Sequence, residues 1–361
     1  MPDFQVRRDD LRDTRVVDAG EPPAQLGEGE ALLRIDRFAL TANNVTYGVM
    51  GDALGYWQFF PPAAEGWGRV PAWGYADVVA SAAEGIEPGQ RFYGYVPMSS
   101  HLTVRPEMGG PGFVDTTDHR SALPAIYNQY LRVDPAAPVA DEQLVMRPLF
   151  GTSCLLEDFL RTNDWFGATA LVLGSASSKT AYGLAHLLAG ASDAPQALGL
   201  TSERNRGFVE SLGLYDRVIT YDAIDLGNDD VVYVDMSGDI RVRTAVHRAA
   251  GTRLRRSIAV GATHWEQAAD TTAGAGGGEP DPDPGPEPEL FFAPSHIERL
   301  QNELGGPDLQ RRLADAWAGF APRLSTWMEI DRVDGPDALT HAWRQLVDGT
   351  ADPRRAYVAN L

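Results

Sequence analysis

The stretch from residue 168 to 261 constrains this chain more than any other, because strand and helix patterns alternate through it at short intervals. Residues 168–173, ATALVL, form a continuous apolar run of the kind found in a strand buried on both faces. A helical pattern follows over 180–189. Then come a strand over 197–201, a helix over 205–212, strands over 217–220 and 231–235, a helix over 242–250 and a strand over 257–261. Strands separated by single helices need crossover connections, which set them parallel and cover both faces of the sheet. The spacing predicts a doubly wound, Rossmann-type α/β domain.

The rest of the chain has a different texture. Residues 30–41, EALLRIDRFALT, alternate apolar and polar as a half-buried strand does and run into a polar turn at Ala42, Asn43 and Asn44. Residues 69–82 and 89–96 are rich in Val, Tyr and Phe between glycines and prolines, and residues 85–90 read as a turn joining two strands. A helical pattern covers 141–163 and another 294–322, and residues 327–361 read as strand, helix and strand. Between them, 274–290 places proline at every second position from 280 to 288. That composition cannot supply a sheet ladder, and a solvated loop is expected. At 361 residues two domains are the natural prior. We place a β-rich domain at 1–130 and 322–361 and the Rossmann-type domain at 131–321.

Charge narrows the partners. Lys and Arg total 31 against 50 Asp and Glu, a formal net charge of −19 that repels phosphate backbones and anionic lipid heads, so neither nucleic acid nor a membrane is expected. No apolar run approaches 18 residues, and the mixed-charge start lacks the apolar core of a secretory signal, so a cytoplasmic location is expected. One cysteine, Cys154, forbids an intrachain disulfide and a cysteine-rich zinc site. No HxxxH or HxxxE spacing sets two ligands on one helical face, and no metal is expected. Of the 31 basic residues one is lysine, Lys179.

That lysine lies where the strand pattern of 171–173 gives way to a helix, in LVLGSASSKTA. Unpaired amides and the helix dipole make such a junction an anion site, and Gly174, Ser175, Ser177, Ser178, Lys179 and Thr180 are the candidates to hold a dinucleotide's pyrophosphate. The usual GxGxxG is missing: Ser177, Ser178 and Thr180 occupy places where glycines are expected. Lys179 is expected to pair with a phosphate in compensation. A Walker loop is one residue too long for this stretch, and Lys179 falls on its second glycine. A capped turn without ligand is the bland alternative.

The end of the second strand selects between cofactors, since an acid there holds a ribose hydroxyl and basic or hydroxyl groups accept a 2′-phosphate. Thr201, Ser202, Arg204 and Asn205 favour NADP(H), whereas Glu203 is a contrary sign. Tyr221, Asp235, Ser237 and Gly261 fall at the carboxyl ends of the following strands and complete the candidate set.

These pieces in this order resemble the zinc-free quinone and enoyl reductase branch of the medium-chain dehydrogenase/reductase superfamily. The residues that carry the likeness are ALLRIDRFALTANNVTYGVMGD (31–52), the turn before GQRFYGYV, the successive Rossmann strands from LVLGSASSKTA through RRSIAVGATH, and the closing ADPRRAYV. It covers most of the chain outside 98–141 and 268–310. YWQFFPP, PMSSH, SASSKTA and LTSERN further resemble the subfamily filed as DUF2855. The zinc branch's early Cys and Gly-His-Glu signature does not occur. The resemblance implies a GroES-like, β-rich catalytic domain, an active site in the cleft between the domains, and a polar loop matched here by residues 41–47. On it Asn44 and Tyr47 would polarise a substrate carbonyl, and Tyr56 would donate a proton. Ser99, Ser100 and His101 are weaker candidates. Residues 120–130 either shape the substrate pocket or simply pack. Trp57, Phe59 and Phe60 point to a partly apolar small molecule. A homodimer through the edge of the Rossmann sheet, with ELFFA (289–293) as the edge strand, is also implied.

The function these readings converge on is a zinc-independent, NADPH-dependent reduction of a carbonyl or a conjugated enone or enoyl substrate. Two alternatives stand beside it: a carbon–carbon lyase using the same polarising groups, and a nucleotide-binding protein without turnover.

Overall fold

The computed structural model describes residues 1–62, 64–136, 140–261 and 285–361. The proline-rich stretch read over 274–290 therefore lies outside the described residues as far as 284. Chain contacts divide the molecule into two compact units, Met1–Val145 with Ile330–Ala351 and Arg355–Leu361, and Met146–Glu329 with Asp352–Arg354. The sequence boundaries at 130/131 and 321/322 compare with 145/146 and 329/330 in the structure.

The first unit is β-rich. Strands β1 (Pro2–Arg7), β2 (Thr14–Asp18) and β4 (Trp67–Gly68) form a small sheet in the order β2-β1-β4. A larger sheet is built on β3 (Ala31–Leu40), β5 (Pro71–Ser81), β6 (Arg91–Pro97), β7 (His101–Val104), β8 (Pro106–Gly109), β9 (Gly112–Asp115) and β10 (Gln129–Val133). The chain's last two strands, β17 (Glu329–Asp334) and β18 (Arg355–Asn360), join it. Its order among the described residues is β17-β18-β3-β5-β6-β10-β9-β8, with β7 also paired to β3. Helix Pro336–Val347 buries Trp343, whose Nε1–H donates to Leu11 O at 2.7 Å and whose ring meets Phe4 edge-on.

One expectation changes here. Ala42, Asn43 and Asn44 do not form a loose turn but open helix α1 (Ala42–Val49). The cause is local: Asn44 Oδ1 accepts the Thr41 amide at 2.8 Å, satisfying a donor that a helix start leaves unpaired. Its Nδ2 donates to Pro71 O at 2.9 Å, which ties the helix start to the first residue of β5.

The second unit carries six parallel strands among its described residues: β11 (Ala170–Gly174), β12 (Gln196–Thr201), β13 (Arg217–Thr220), β14 (Val231–Asp235), β15 (Leu254–Ala259) and β16 (Glu289–Leu290), in the order β13-β12-β11-β14-β15-β16. Counted from β11 this is 3-2-1-4-5-6, the Rossmann order, and it puts the switch point between β11 and β14. Helices α3 (Lys179–Ala189), α4 (Glu203–Leu212) and α5 (Ile240–Ala250) make the crossovers, and α2 (Asp141–Thr162) precedes them. Val172, Leu198, Leu200, Val231, Tyr233 and Val246 form one fully buried core, which explains the unbroken apolar runs in sequence. The strand expected over 257–261 starts and ends earlier, because the amides of Val260 and Gly261 bond Asp235 O instead of continuing the ladder.

Candidate functional site

Gly174 ends β11 and Lys179 begins α3, so four residues make the junction. Gly174 is required by contact: a Cβ there would stand 2.8 Å from the Tyr233 hydroxyl. Ser175 takes φ +52°, a left-handed conformation that glycine adopts freely and other residues adopt at a cost. The loop thus keeps a glycine's backbone shape without the glycine. It is closed by Ser178 N–H to Ser175 O at 2.8 Å and Ala176 N–H to Leu200 O at 3.0 Å. Ser178 is the N-cap, accepting the Ala181 amide at 3.3 Å. Thr180 lies in the first turn, and its carbonyl accepts the Ser153 hydroxyl at 2.8 Å.

Lys179 is partly buried, and its ammonium donates to Pro353 O at 3.2 Å. Burial pushes this amine down to about 8, with Asp352 opposing the shift. The segment Asp352–Arg354, returned to this unit by the chain's end, is what the lysine holds; Arg354 in turn lies over the Phe208 ring at 5.5 Å.

The neighbouring strand ends gather the other candidates. Asn205 Nδ2 donates to Ser177 Oγ at 3.2 Å, joining the first and second crossovers. Thr201 is buried, and its Oγ1 has no hydrogen-bond partner among the described residues. Ser202 is the N-cap of α4, and Arg204 is exposed in its first turn. Glu203, the contrary acid, is 68% exposed and lies 3.8 Å from Arg206 on its own helix, so it faces solvent. Tyr221 donates its amide to Thr201 O; burial first, and then Asp235, push its phenol up to about 12 against hydrogen bonds with Ser175. Asp235 Oδ1 accepts from Ser237 N–H and Oγ, both at 3.0 Å, and from Gly238 N–H at 2.9 Å, folding the turn after β14. Gly261 sits against it, where a Cβ would meet Met236 O. All fourteen candidates from Gly174 to Gly261 therefore cluster at or next to the carboxyl edge of one sheet.

In the first unit, Tyr47 and Tyr56 come together with two tyrosines that the sequence did not single out as catalytic. Tyr47 and Tyr56 rings lie 4.7 Å apart, Tyr95 and Tyr127 rings 4.6 Å, and Tyr47 stands edge-on to Tyr95 at 5.5 Å. The Tyr56 and Tyr127 hydroxyls bond each other at 3.2 Å, and Trp73 Nε1–H donates to the Tyr47 hydroxyl at 3.3 Å. Burial pushes all four phenols up, so they stay protonated at neutral pH. Asn44 is buried beside this group but spends its amide on Thr41 and Pro71. Tyr127 arrives on residues 120–130, whose anchor is Arg120: fully buried, it pairs with Asp115 at 2.8 Å and donates to Tyr127 O at 2.7 Å. Ser99, Ser100 and His101 lie elsewhere, with Ser99 Oγ on Asp3 and His101 Nδ1 on Ser100 Oγ. Among the described residues no group of three His, Cys, Asp or Glu converges as metal ligands.

The family model described as "Protein of unknown function (DUF2855)" matches residues 38–352. The chain belongs to the DUF2855 family. No curated protein matches its sequence. Over 100% of its length this DUF2855 chain is similar to CurA of Vibrio vulnificus in complex with NADPH, at 15% identity and a TM-score of 0.58, with 99% of that chain covered. It is also similar to Escherichia coli quinone oxidoreductase complexed with NADPH, at 13% identity and a TM-score of 0.56, and to the yhdH oxidoreductase of Salmonella enterica in complex with NADP, at 13% and 0.51. Both of those chains are covered completely, as is this one. At such identities the likeness speaks to the fold: a medium-chain reductase-like α/β architecture with a Rossmann-type sheet and a β-rich GroES-like unit.

Proposed function

We propose that this DUF2855 chain is a zinc-independent, NADPH-dependent oxidoreductase that reduces a carbonyl or a conjugated enone or enoyl substrate. The observation that carries the reading is at the carboxyl edge of β12. A buried hydroxyl left unbonded costs about 1–3 kcal/mol, and Thr201 Oγ1 is such a hydroxyl, placed where a 2′-phosphate or ribose would lie on a sheet of this order. Glu203, the acid that would favour NADH, lies 3.8 Å from Arg206 of its own helix, which offsets its charge. Several similar structures are complexes with NADPH or NADP, which supports the same choice.

The residues present fit the group. The amides and hydroxyls of Ser175, Ser177, Ser178 and Thr180 would receive the pyrophosphate, with the Lys179 charge beside them. Thr201, Ser202, Arg204 and Asn205 would receive the 2′-phosphate, and Tyr221, Asp235, Ser237 and Gly261 would border the remainder. When bound, NADPH supplies a hydride. The chain's own part in the first unit is polar: Tyr47, oriented by Trp73, donates a hydrogen bond to the substrate oxygen, and Asn44 fixes the start of the helix that carries it. Tyr56, kept protonated by burial and hydrogen-bonded to Tyr127, delivers a proton from its hydroxyl.

Titration with NADPH and NADH, followed by cofactor fluorescence, tests the first half. Saturable binding with NADPH preferred is expected, and no binding of either rejects the reading. Oxidation of bound NADPH across an enone, quinone and enoyl-thioester panel tests the second half. Tight binding with no turnover would instead leave the lyase or the non-catalytic nucleotide-binding protein.

A further inference from the structure

The first unit contains a pocket of about 330 Å³ that borders the phenol cluster through Phe59, Phe60 and Arg120 but is lined by none of its four tyrosines. Its apolar wall is Phe59, Phe60, Pro61, Pro97 and Leu102; Arg69, His101, Thr103 and His119 supply polar groups. Two carboxylates also reach it, and both are already committed. Asp3 accepts from Ser99 Oγ, from Gln5 Nε2 at 2.7 Å and from Arg69. Asp115 accepts the amides of Arg105 and Thr117, the Thr117 hydroxyl and Arg120.

Donors are in surplus. Of the five N–H groups on a guanidinium, Arg69 uses Nε and one of Nη2 on Asp3 and one of Nη1 on Pro61 O, and the remainder are open to a ligand. His119 Nε2–H donates to Phe59 O at 3.1 Å, which fixes its ring at the rim. The surroundings of His101 are cationic: burial first, then the positive charges of the Met1 amino group and Arg34, hold its imidazole below the usual histidine range. A pocket with spent carboxylates, open guanidinium donors and an aromatic wall selects against cations and for an anion with an apolar body.

We propose that this pocket binds a small monocarboxylic acid, with its carboxylate on Arg69 and its ring or chain against Phe59 and Phe60. The size, at the lower end for ligand cavities, suits a single ring. This site does not depend on the reductase reading, since Arg69, the group that takes the carboxylate, belongs neither to the dinucleotide edge nor to the phenol cluster.

Benzoate and its neutral isostere benzamide are the probes, titrated by NMR into the whole protein while the His101 ring proton is followed across pH. Benzoate is expected to bind at least about tenfold more tightly than benzamide, the worth of one charge-assisted hydrogen bond, and to raise the His101 titration. Arg69→Gln should lose that preference. Because Arg69 also holds buried Asp3, Thr103→Trp at the exposed rim provides a second variant that should block binding without touching the ion pair. Equal affinity for the two probes, or benzoate binding unchanged by Thr103→Trp, overturns the proposal. Neither result bears on NADPH binding.

Discussion

At the scale of single residues, Lys179 shows most sharply how tertiary surroundings redefine a side chain. The structure gives its ammonium a protein partner, Pro353 O, and lowers its titration from 10.5 to about 8. Between those two values the unfolded chain holds a proton that the folded chain has released, so stability should rise with pH from about 8 to about 10.5; below 8 the cost of a desolvated charge is fully present. Urea unfolding at several pH values should show that rise in the parent protein and none in Lys179→Met. Lys179→Arg addresses the cofactor: weaker NADPH affinity is expected, because a planar guanidinium does not fit a site built for an ammonium. The phenols give a second prediction. Tyr56→Phe should lower kcat by about 10²-fold, as loss of a general acid does, and leave the dissociation constant of NADPH unchanged. A parallel loss of NADPH affinity in stopped-flow titration would remove Tyr56 from the catalytic role.

Elements add what no residue has alone. The excursion through β8, β9 and residues 118–128 adds Tyr127 to the phenol cluster, and it is held from inside by the Arg120–Asp115 pair, both 1% exposed. Breaking one side of a buried pair leaves an unmatched charge, so Arg120→Met should destabilise the first unit by about 3–5 kcal/mol in chemical denaturation. Arg120→Met combined with Asp115→Leu should recover part of it. The α2 helix is fixed in a comparable way: although burial disfavours its charge, Asp158 is held below the usual carboxylate range by Arg299 at 2.6 Å and Arg312 at 2.7 Å, from helices Ala293–Leu304 and Gly306–Phe320.

For the whole molecule, the sheet edge and the net charge are the features that matter. Among the described residues strand β16 pairs through Ile258 and Ala259, and Leu290 is 52% exposed there. We expect a second copy to cover this edge, and Leu290→Arg should shift the mass from dimer to monomer in light scattering at micromolar concentration. With a net charge of −19, added salt should favour association, because it screens repulsion between two acidic copies. No helix among the described residues is long and apolar enough to cross a membrane.

The amino-acid sequence by itself determined the parallel sheet. Apolar runs such as 231–235 can be satisfied only by burial on both faces, and that physics is local enough to read along the chain. It also determined the hydroxyl-rich loop and the strand ends around it. Three things were decided only in three dimensions. Ser175 adopts a glycine's backbone angle because its flanking strand and helix overrule its own preference. Asn44 turns an apparent loop into a helix start by bonding back to Thr41. Tyr95 and Tyr127, 32 residues apart (127 − 95), meet Tyr47 and Tyr56 because β6 and the segment leading into β10 are neighbours in the sheet, and no periodicity records which distant rings a sheet will stack.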